Sequence, residues 1–263
     1  MRNSLLHAIS SSSLAVKDSL LEERITFITP YVTGAVTFDG TNDLMLRGGD
    51  LTNNADSNVG SLSLWLKMNG GTGSSLGIMH ASGGYFVSRP STNKFRIVVA
   101  NSTSNLQFET VTNVTSSTGW VHVLASWNTN FSAGNKLRQL YLNDVSNVTT
   151  VADAAAAFNV DYTQTNHAVG SMVNTTQKLN ADLADVWFAP GQYIDFSVQA
   201  NRRKFRNGFG KPVYLGTNGE LPTGTAPRIF LQGPASAFAM NKGTGGNFTV
   251  TGTLTDALTS QSD

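Results

Sequence analysis

Ser61-Leu62-Ser63-Leu64-Trp65-Leu66-Lys67-Met68 is the stretch on which the fold turns. Successive side chains of an extended chain point to opposite faces. Leu62, Leu64, Leu66 and Met68 therefore share one face, and Trp65 lies on the other. The same alternation returns on both sides of this stretch. Upstream, Ala35-Val36-Thr37-Phe38 reads as a strand, Asp39-Gly40-Thr41-Asn42 as a turn and Leu44-Met45-Leu46 as the return. Downstream, strands are expected at residues 77–80, 85–88, 94–100, 105–111, 120–128, 139–142, 167–171 and 181–188, separated by Gly- and Asn-rich turns. Strands at this spacing predict an all-β fold, a two-sheet antiparallel jelly-roll sandwich. The alanine-rich stretch 152–158 breaks the rhythm and reads as a loop or a single helical turn.

The flanks differ from this middle. Residues 1–33 form an N-terminal arm in which Leu5, Leu6, Ile9, Leu14, Val16, Leu20, Leu21 and Ile25 have a loosely helical spacing. An arm this apolar needs a cover, either its own sandwich or another subunit onto which residues 1–30 dock as an anchor. Residues 34–190 form the sandwich. Residues 191–263 form a loop-rich extension expected to pack on it. There, Asp195 or Ser197 can cap a short helix over 198–206, which Asn207-Gly208 would end. Five of the seven prolines fall at or after Pro190, which marks the segment as irregular, and 248–254 reads as one more strand. The polar residues 260–263 read as a mobile end.

Length and composition narrow the function classes. A chain of 263 residues holds one large sandwich with modest additions and can bury a substantial core. Charged residues make up 13%, about half the usual ~25%, and Ser, Thr, Asn and Gly take their place. A hydrophobic content of 40% still belongs to a folded chain. The net charge is +1 and Asn201-Arg202-Arg203-Lys204 is the one basic run. Nucleic-acid binding, which needs a basic stripe, is therefore not expected. The absence of cysteine removes disulfides, thiolate metal sites and thiol nucleophiles. No apolar run approaches the ~20 residues that span a bilayer, so no membrane insertion is expected. The short apolar patch within residues 1–9 is cut off by Ser10-Ser11-Ser12-Ser13, unlike the continuous stretch of a secretory signal.

Five segments, in order, resemble the laminin-G-like, concanavalin-A-like jelly roll. Val36-Thr-Phe-Asp-Gly-Thr-Asn-Asp-Leu-Met45 resembles its opening hairpin, and Ser61-Leu-Ser-Leu-Trp-Leu-Lys67 its second strand. Gly119-Trp-Val-His-Val-Leu-Ala-Ser-Trp127 is similar to its Trp-x-His-Val strand, and Leu140-Tyr-Leu-Asn-Asp-Val145 to the hairpin that follows. Leu179-Asn-Ala-Asp-Leu-Ala-Asp-Val-Trp-Phe188 resembles the closing strand. Beyond it, Pro190-Gly-Gln-Tyr-Ile-Asp-Phe-Ser197, Ala200-Asn-Arg-Arg-Lys-Phe205, Gly210-Lys-Pro-Val213, Pro222-Thr-Gly-Thr-Ala-Pro227 and Asn241-Lys-Gly-Thr-Gly-Gly-Asn-Phe-Thr249 are similar to segments of laminin-G-like proteins of tailed phages and prophages.

That resemblance implies a phage virion structural protein: a surface decoration, a fibre or a tail-associated adhesin with glycan binding. Such a protein is made in the bacterial cytoplasm and released by lysis. Its partners would be other virion proteins, through residues 1–30, and a host surface glycan. Copies would form a homo-oligomer, for instance a trimer, and weak sites would add up by avidity. A purely architectural cement protein of capsid or tail is the alternative.

A jelly roll of this kind can also be a glycoside hydrolase that degrades polysaccharide. Retaining chemistry needs two carboxyls about 5–5.5 Å apart, which on one strand means even spacing. Of the four glutamates, Glu22 and Glu23 lie in the arm, and Glu109 and Glu220 stand alone. Asp182 and Asp185, three apart, are expected on opposite faces. No enzyme activity is expected. His7, His80, His122 and His167 lie apart from any Gly-x-Ser-x-Gly elbow and read as structural.

The resemblance implies one cofactor, calcium, held by an aspartate of the closing strand, Asp185, with Asp39 of the opening hairpin as the second candidate. Asp39 also reads as a residue that hydrogen-bonds its own turn. Tyr85, Trp127, Tyr141 and Tyr162 are the candidate sugar-stacking aromatics, with core packing as the competing role.

Overall fold

The computed structural model describes residues 34–263. The arm 1–33, with its anchoring role, His7, Glu22 and Glu23, lies outside the described residues. From there the chain forms β1 (Val36–Asp39), β2 (Leu44–Arg47), β3 (Val59–Met68), β4 (Leu76–Ala81), β5 (Tyr85–Arg89), β6 (Lys94–Ala100), β7 (Asn105–Asn113) and β8 (Val121–Asn128). It continues through β9 (Leu137–Leu142), β10 (Val145–Ser146), β11 (Thr149–Asp153), β12 (His167–Val169) and β13 (Asn180–Pro190). A four-residue helix, α1 (Gln199–Arg202), precedes β14 (Ile229–Leu231), β15 (Thr249–Thr251) and β16 (Thr255–Asp256). Among the described residues no helix is long and apolar enough to cross a membrane.

The strands form two antiparallel sheets of eight. The first runs β10-β9-β8-β3-β13-β1-β16, with β14 pairing the far half of β13; the second runs β11-β7-β6-β5-β4-β12-β2-β15. This is the two-sheet sandwich that the alternation predicts. Leu62, Leu64, Leu66 and Met68 of β3 are buried in the core between the sheets, with Phe38, Val87, Phe95, Ile97, Phe108, Val123 and Phe188. Each such side chain contributes about 1.5–3 kcal/mol when removed from water.

The two sheets differ on their outward faces. The first is covered. Leu124, Trp187 and Ala189 pack under Ile194, Phe196, Phe205, Leu215 and Phe230, and Trp65 packs with Ala35 and Ala184 under Trp120 and Ala257. Trp65 therefore lies opposite the Leu62–Met68 row, as its parity requires, yet it is shielded from solvent. The second sheet stays wet. In β6, Phe95, Ile97 and Val99 point inward, while Lys94, Arg96, Val98 and Ala100 are half-exposed.

Four local expectations need correction. The helix over 198–206 shrinks to α1, because Asp195 does not cap it. Asp195 Oδ1 accepts instead from the Ser197 N–H (2.9 Å), the Ser197 hydroxyl (2.6 Å) and Gln139 Nε2 (2.7 Å). The stretch 152–158 begins inside β11, which pairs with β7. The end of the chain is tied down, since Gln261 is 3% exposed and Thr259 Oγ1 accepts from Lys67 Nζ (3.0 Å) and Trp120 Nε1 (3.2 Å). The strand expected over 248–254 is split: β15 joins the second sheet beside β2, and β16 crosses to the first beside β1.

Candidate functional site

Three of the four candidate stacking aromatics are core. Trp127 and Tyr162 are fully buried, and the Trp127 indole donates to the Tyr162 hydroxyl at 2.7 Å. That hydroxyl donates on to the Val59 carbonyl at 3.1 Å. Tyr85, also buried, pairs its hydroxyl with His167 Nδ1 at 3.0 Å, and His167 Nε2 faces the Gln164 carbonyl at 3.1 Å. Burial pushes both phenols above the usual tyrosine range. Tyr141 points outward, but the Arg202 guanidinium lies over its ring, 4.7 Å from the centroid. None of the four offers an open ring face.

The two candidate calcium aspartates do not fit that ion. Asp39 Oδ1 accepts the backbone N–H groups of Thr41 (2.7 Å) and Asn42 (3.1 Å), which hold its carboxyl below the usual range. It is a turn cap. Asp185 is 2% exposed, and its oxygens accept from Gln232 Nε2 and Gln261 Nε2, each at 3.2 Å. Amide donors aimed at a carboxylate occupy the directions in which a cation would sit. Register adds a second objection. Asp39 pairs with Asn180, five residues from Asp185 and so about 16 Å along the strand, whereas calcium takes its oxygens at about 2.3–2.6 Å. Among the described residues no cluster of three or more His, Cys, Asp or Glu side chains could hold a metal.

The expected separation of Asp182 and Asp185 onto opposite faces also fails. A bulge between Ala184 and Trp187 interrupts the β13–β3 register, and Asp185 takes a positive φ of 46°. The extra residue resets the alternation. The two acids nevertheless sit in separate settings. Asp182 accepts from Thr37 Oγ1 (2.7 Å) and Asn69 Nδ2 (2.6 Å), and Asp185 from the two glutamines.

An open, structured surface remains on the outward face of the second sheet. Phe86 pairs across β5 and β6 with Val98, and Ser88 with Arg96; across β6 and β7, Val98 pairs with Gln107 and Arg96 with Glu109. These side chains share one face because they occupy matching registers. Phe86 is half-exposed on this face, beside the half-exposed Val98. Beside it lies a depression of about 230 Å³ lined by Phe86, Ser88, Arg96, Val98, Gln107 and Gln177. A smaller one, about 90 Å³, lies between Phe86, Val98, His80, Gly83 and Ala100. Larger grooves exist, at Asn54–Ser57 with Gln192 and Arg228, and beside Val250 and Leu254, but neither has an aromatic wall.

Beside the depression the charges are paired. Glu109 Oε2 receives both Arg96 Nε (2.7 Å) and Arg96 Nη2 (2.5 Å), so the one carboxylate and one guanidinium at the depression cancel. His80 stands edge-on to Phe86, with centroids 5.0 Å apart. Its Nδ1 accepts the Val173 N–H at 3.0 Å, and burial lowers its pKa. The neutral ring therefore carries its proton on Nε2 as a donor. The face offers one aromatic platform ringed by hydroxyl, amide and paired ionic groups. Chemically, it can bind a polyhydroxylated ligand.

Residues 38–191 match a laminin-G-like family model whose description is the concanavalin A-like lectin/glucanases superfamily. The chain belongs to that superfamily. Among solved structures, this superfamily member is similar to a protein of Bacteroides ovatus named for a proposed role in carbohydrate binding. The two share 10% identity and a TM-score of 0.58, over 86% of this chain and 60% of that one. It is also similar to a heptameric SAP-like pentraxin of Limulus polyphemus (12% identity, TM-score 0.45, 62% of this chain, 78% of that one). Domains LG4-5 of the mouse laminin α1 chain follow (13% identity, TM-score 0.46, 64% and 44%). At such identities the likeness is one of fold. No curated protein matches the sequence.

Proposed function

We propose that this superfamily member is a non-catalytic glycan-recognising protein whose sugar site is the outward face of the second sheet around Phe86. The observation that carries this reading is an aromatic side chain standing on a wet, electrically balanced sheet face between two depressions. A sugar ring presents an apolar face to Phe86 and hydroxyls to Ser88, Gln107, Gln177 and the His80 Nε2–H. The Bacteroides relative's name accords with it. The segments after Pro190 that are similar to phage proteins support a setting in a virion, as a decoration, fibre or tail adhesin made in the bacterial cytoplasm. Many copies there, as a homo-oligomer, turn weak sites into avidity.

The test has two stages. The chain, displayed multivalently, is screened on a glycan array and on host cells, and the best ligand is then titrated against Phe86→Ala. Loss of a stacking aromatic worth about 2 kcal/mol predicts a roughly 30-fold rise in Kd. Binding to no glycan, or equal binding by Phe86→Ala, overturns the assignment. A second reading, cement between virion subunits, is favoured by Phe209 and Leu258, whose side chains are 93% and 101% exposed. Apolar groups this open suit a protein contact. Particles assembled without the chain distinguish the two: loss of adsorption with intact particles supports the adhesin, and loss of particle integrity supports the cement.

A further inference from the structure

Around Asp144, in the turn between β9 and β10, the fold gathers more positive charge than it neutralises. Asp144 Oδ1 accepts from Arg202 Nε at 2.5 Å and Oδ2 from Arg203 Nη2 at 2.8 Å. Arg206 follows one turn later, its N–H bonded to the Arg202 carbonyl at 3.2 Å. Residues three and four apart on such a turn are neighbours, so three guanidiniums meet one carboxylate. Arg202 has further acceptors in the carbonyls of Phe196 (2.6 Å) and Ser197 (3.1 Å). Arg203 Nη1 and Arg206 Nε have none, although both atoms are shut away from solvent.

A third group without a partner belongs to the first sheet. His122 of β8 is 1% exposed, and its Nδ1 also lacks a partner. It sits beside Asp144 because its N–H donates to Asn143 Oδ1 (2.9 Å) and its carbonyl accepts the Asn143 N–H (2.9 Å). Its Nε2 lies 3.0 Å from Ser63 Oγ. Among the described residues that nitrogen is the only acceptor the Ser63 hydroxyl has, so the hydroxyl donates to it and the ring proton resides on Nδ1. The Arg206 charge also bears on this ring, helping to lower its pKa. Gly210, at a φ of +83°, leaves room for the guanidinium, since a Cβ there would lie 2.6 Å from Arg206 Nη2.

Buried donors without acceptors are unfavourable, and charged ones most of all. We infer that this corner binds a small inorganic anion, held by Arg203 Nη1, Arg206 Nε and the His122 Nδ1–H. The anion offsets the surplus positive charge and clamps the turn after α1 onto β8 and the β9–β10 turn. The three donor atoms are each shut away from solvent, so the ligand is a free ion and not a group carried on a macromolecule.

The test uses the full chain, with thermal unfolding and calorimetric titration against chloride, sulfate and phosphate in turn. Ionic strength is held constant with gluconate, an anion too large to enter. The wild type is expected to show a saturable rise in Tm and a 1:1 heat of binding with at least one of the three. Arg206→Gln should abolish both. Arg203→Gln should weaken binding by about tenfold or more, the loss of one charge-assisted donor. Arg228→Gln, in the distant groove, should retain both signals. If Arg206→Gln does not fold, Arg203→Gln, whose side chain is 31% exposed, carries the comparison. A bromide soak of a crystal should place an anomalous peak among the three nitrogens. Absence of any saturable response in the wild type, an unchanged response in Arg203→Gln, or a water in place of bromide overturns the inference.

Discussion

His122 gives the fold a pH dependence that can be calculated. Burial chiefly, with help from Arg206 and against the pull of Asp144, lowers its pKa from 6.5 to about 3. In the unfolded chain the ring titrates at its ordinary value. Between pH 6.5 and about 3 the unfolded state therefore holds a proton that the folded state does not, and stability falls as pH falls through that window. Each pH unit crossed costs up to ~1.4 kcal/mol. The loss is about 3 kcal/mol near pH 4.5 and roughly 5 kcal/mol when the window has been traversed. Burial also lowers the pKa of His80 and His167, so the wild-type slope contains more than one ring. The carboxyls of Asp39, Asp144, Asp153 and Asp195 are held below the usual carboxylate range, and their stabilisation is lost only at more acid pH. Urea unfolding of the wild type and His122→Gln, at several pH values between about 7 and 4.5, isolates the one ring. The variant loses the stack on Trp65, whose ring lies 4.5 Å away, and is weaker at neutral pH. The gap between the two proteins should then shrink by about 3 kcal/mol on acidification. Two parallel curves would refute the assignment of a buried neutral imidazole.

Other consequences are checked more simply. Gly60→Ala places a Cβ 2.5 Å from the Trp127 ring and from the Tyr162 hydroxyl, and overpacking there should cost about 1–3 kcal/mol in denaturant unfolding. Gly48→Ala meets nothing within 4 Å and should change stability by no more than about 1 kcal/mol, in the stabilising direction. Millimolar calcium should leave Tm unchanged, because neither Asp39 nor Asp185 has a free ligand set; a concentration-dependent rise of several degrees would restore the calcium expectation. Deleting residues 254–263 removes Gln261 from Asp185 and uncovers Trp65, Ala35 and Ala184. It should lower stability by about 2–4 kcal/mol, and an unchanged urea midpoint would show that the segment does not brace the first sheet.

The sandwich was legible because alternation is a local signal. Leu62 to Met68, and Phe95, Ile97 and Val99, declare their inward face without knowledge of any partner. The short strands were harder to see. Ile229–Leu231 is three residues long, follows a proline at position 227 and exists as a strand because β13 offers it an edge. The proposed stacking residue lies one position from a sequence candidate. Tyr85 was the candidate, but Tyr85 and Val87 share the inward face, so the residue between them must face out. That residue is Phe86, and parity alone could have found it. The same logic places Trp127 with Val121, Val123 and Ala125 in the core. Parity could not have disqualified Tyr141, which does point away from the core. What occupies its ring is Arg202, 61 residues later in the chain, and no local pattern reveals such a cover.

That cover bears on where the proposed ligand face lies. In an isolated two-sheet sandwich both outward faces are available, and either can hold a site. Here the residues beyond the family match, which ends at 191, bring Ile194, Phe196, Phe205 and Leu215 onto the first sheet and convert it into a second interior. Trp187 becomes core on its outward side, its indole donating to the Gly219 carbonyl at 2.7 Å. Among the described residues the second sheet receives no comparable layer over β4–β7, where Phe86, Val98, Gln107 and the Arg96–Glu109 ion pair stay partly exposed. A patch with a single aromatic is too small and too polar to drive stable protein association by burial alone, whereas a weakly bound sugar needs little more. The extension thus leaves the second sheet as the face for the proposed ligand by occupying the other one.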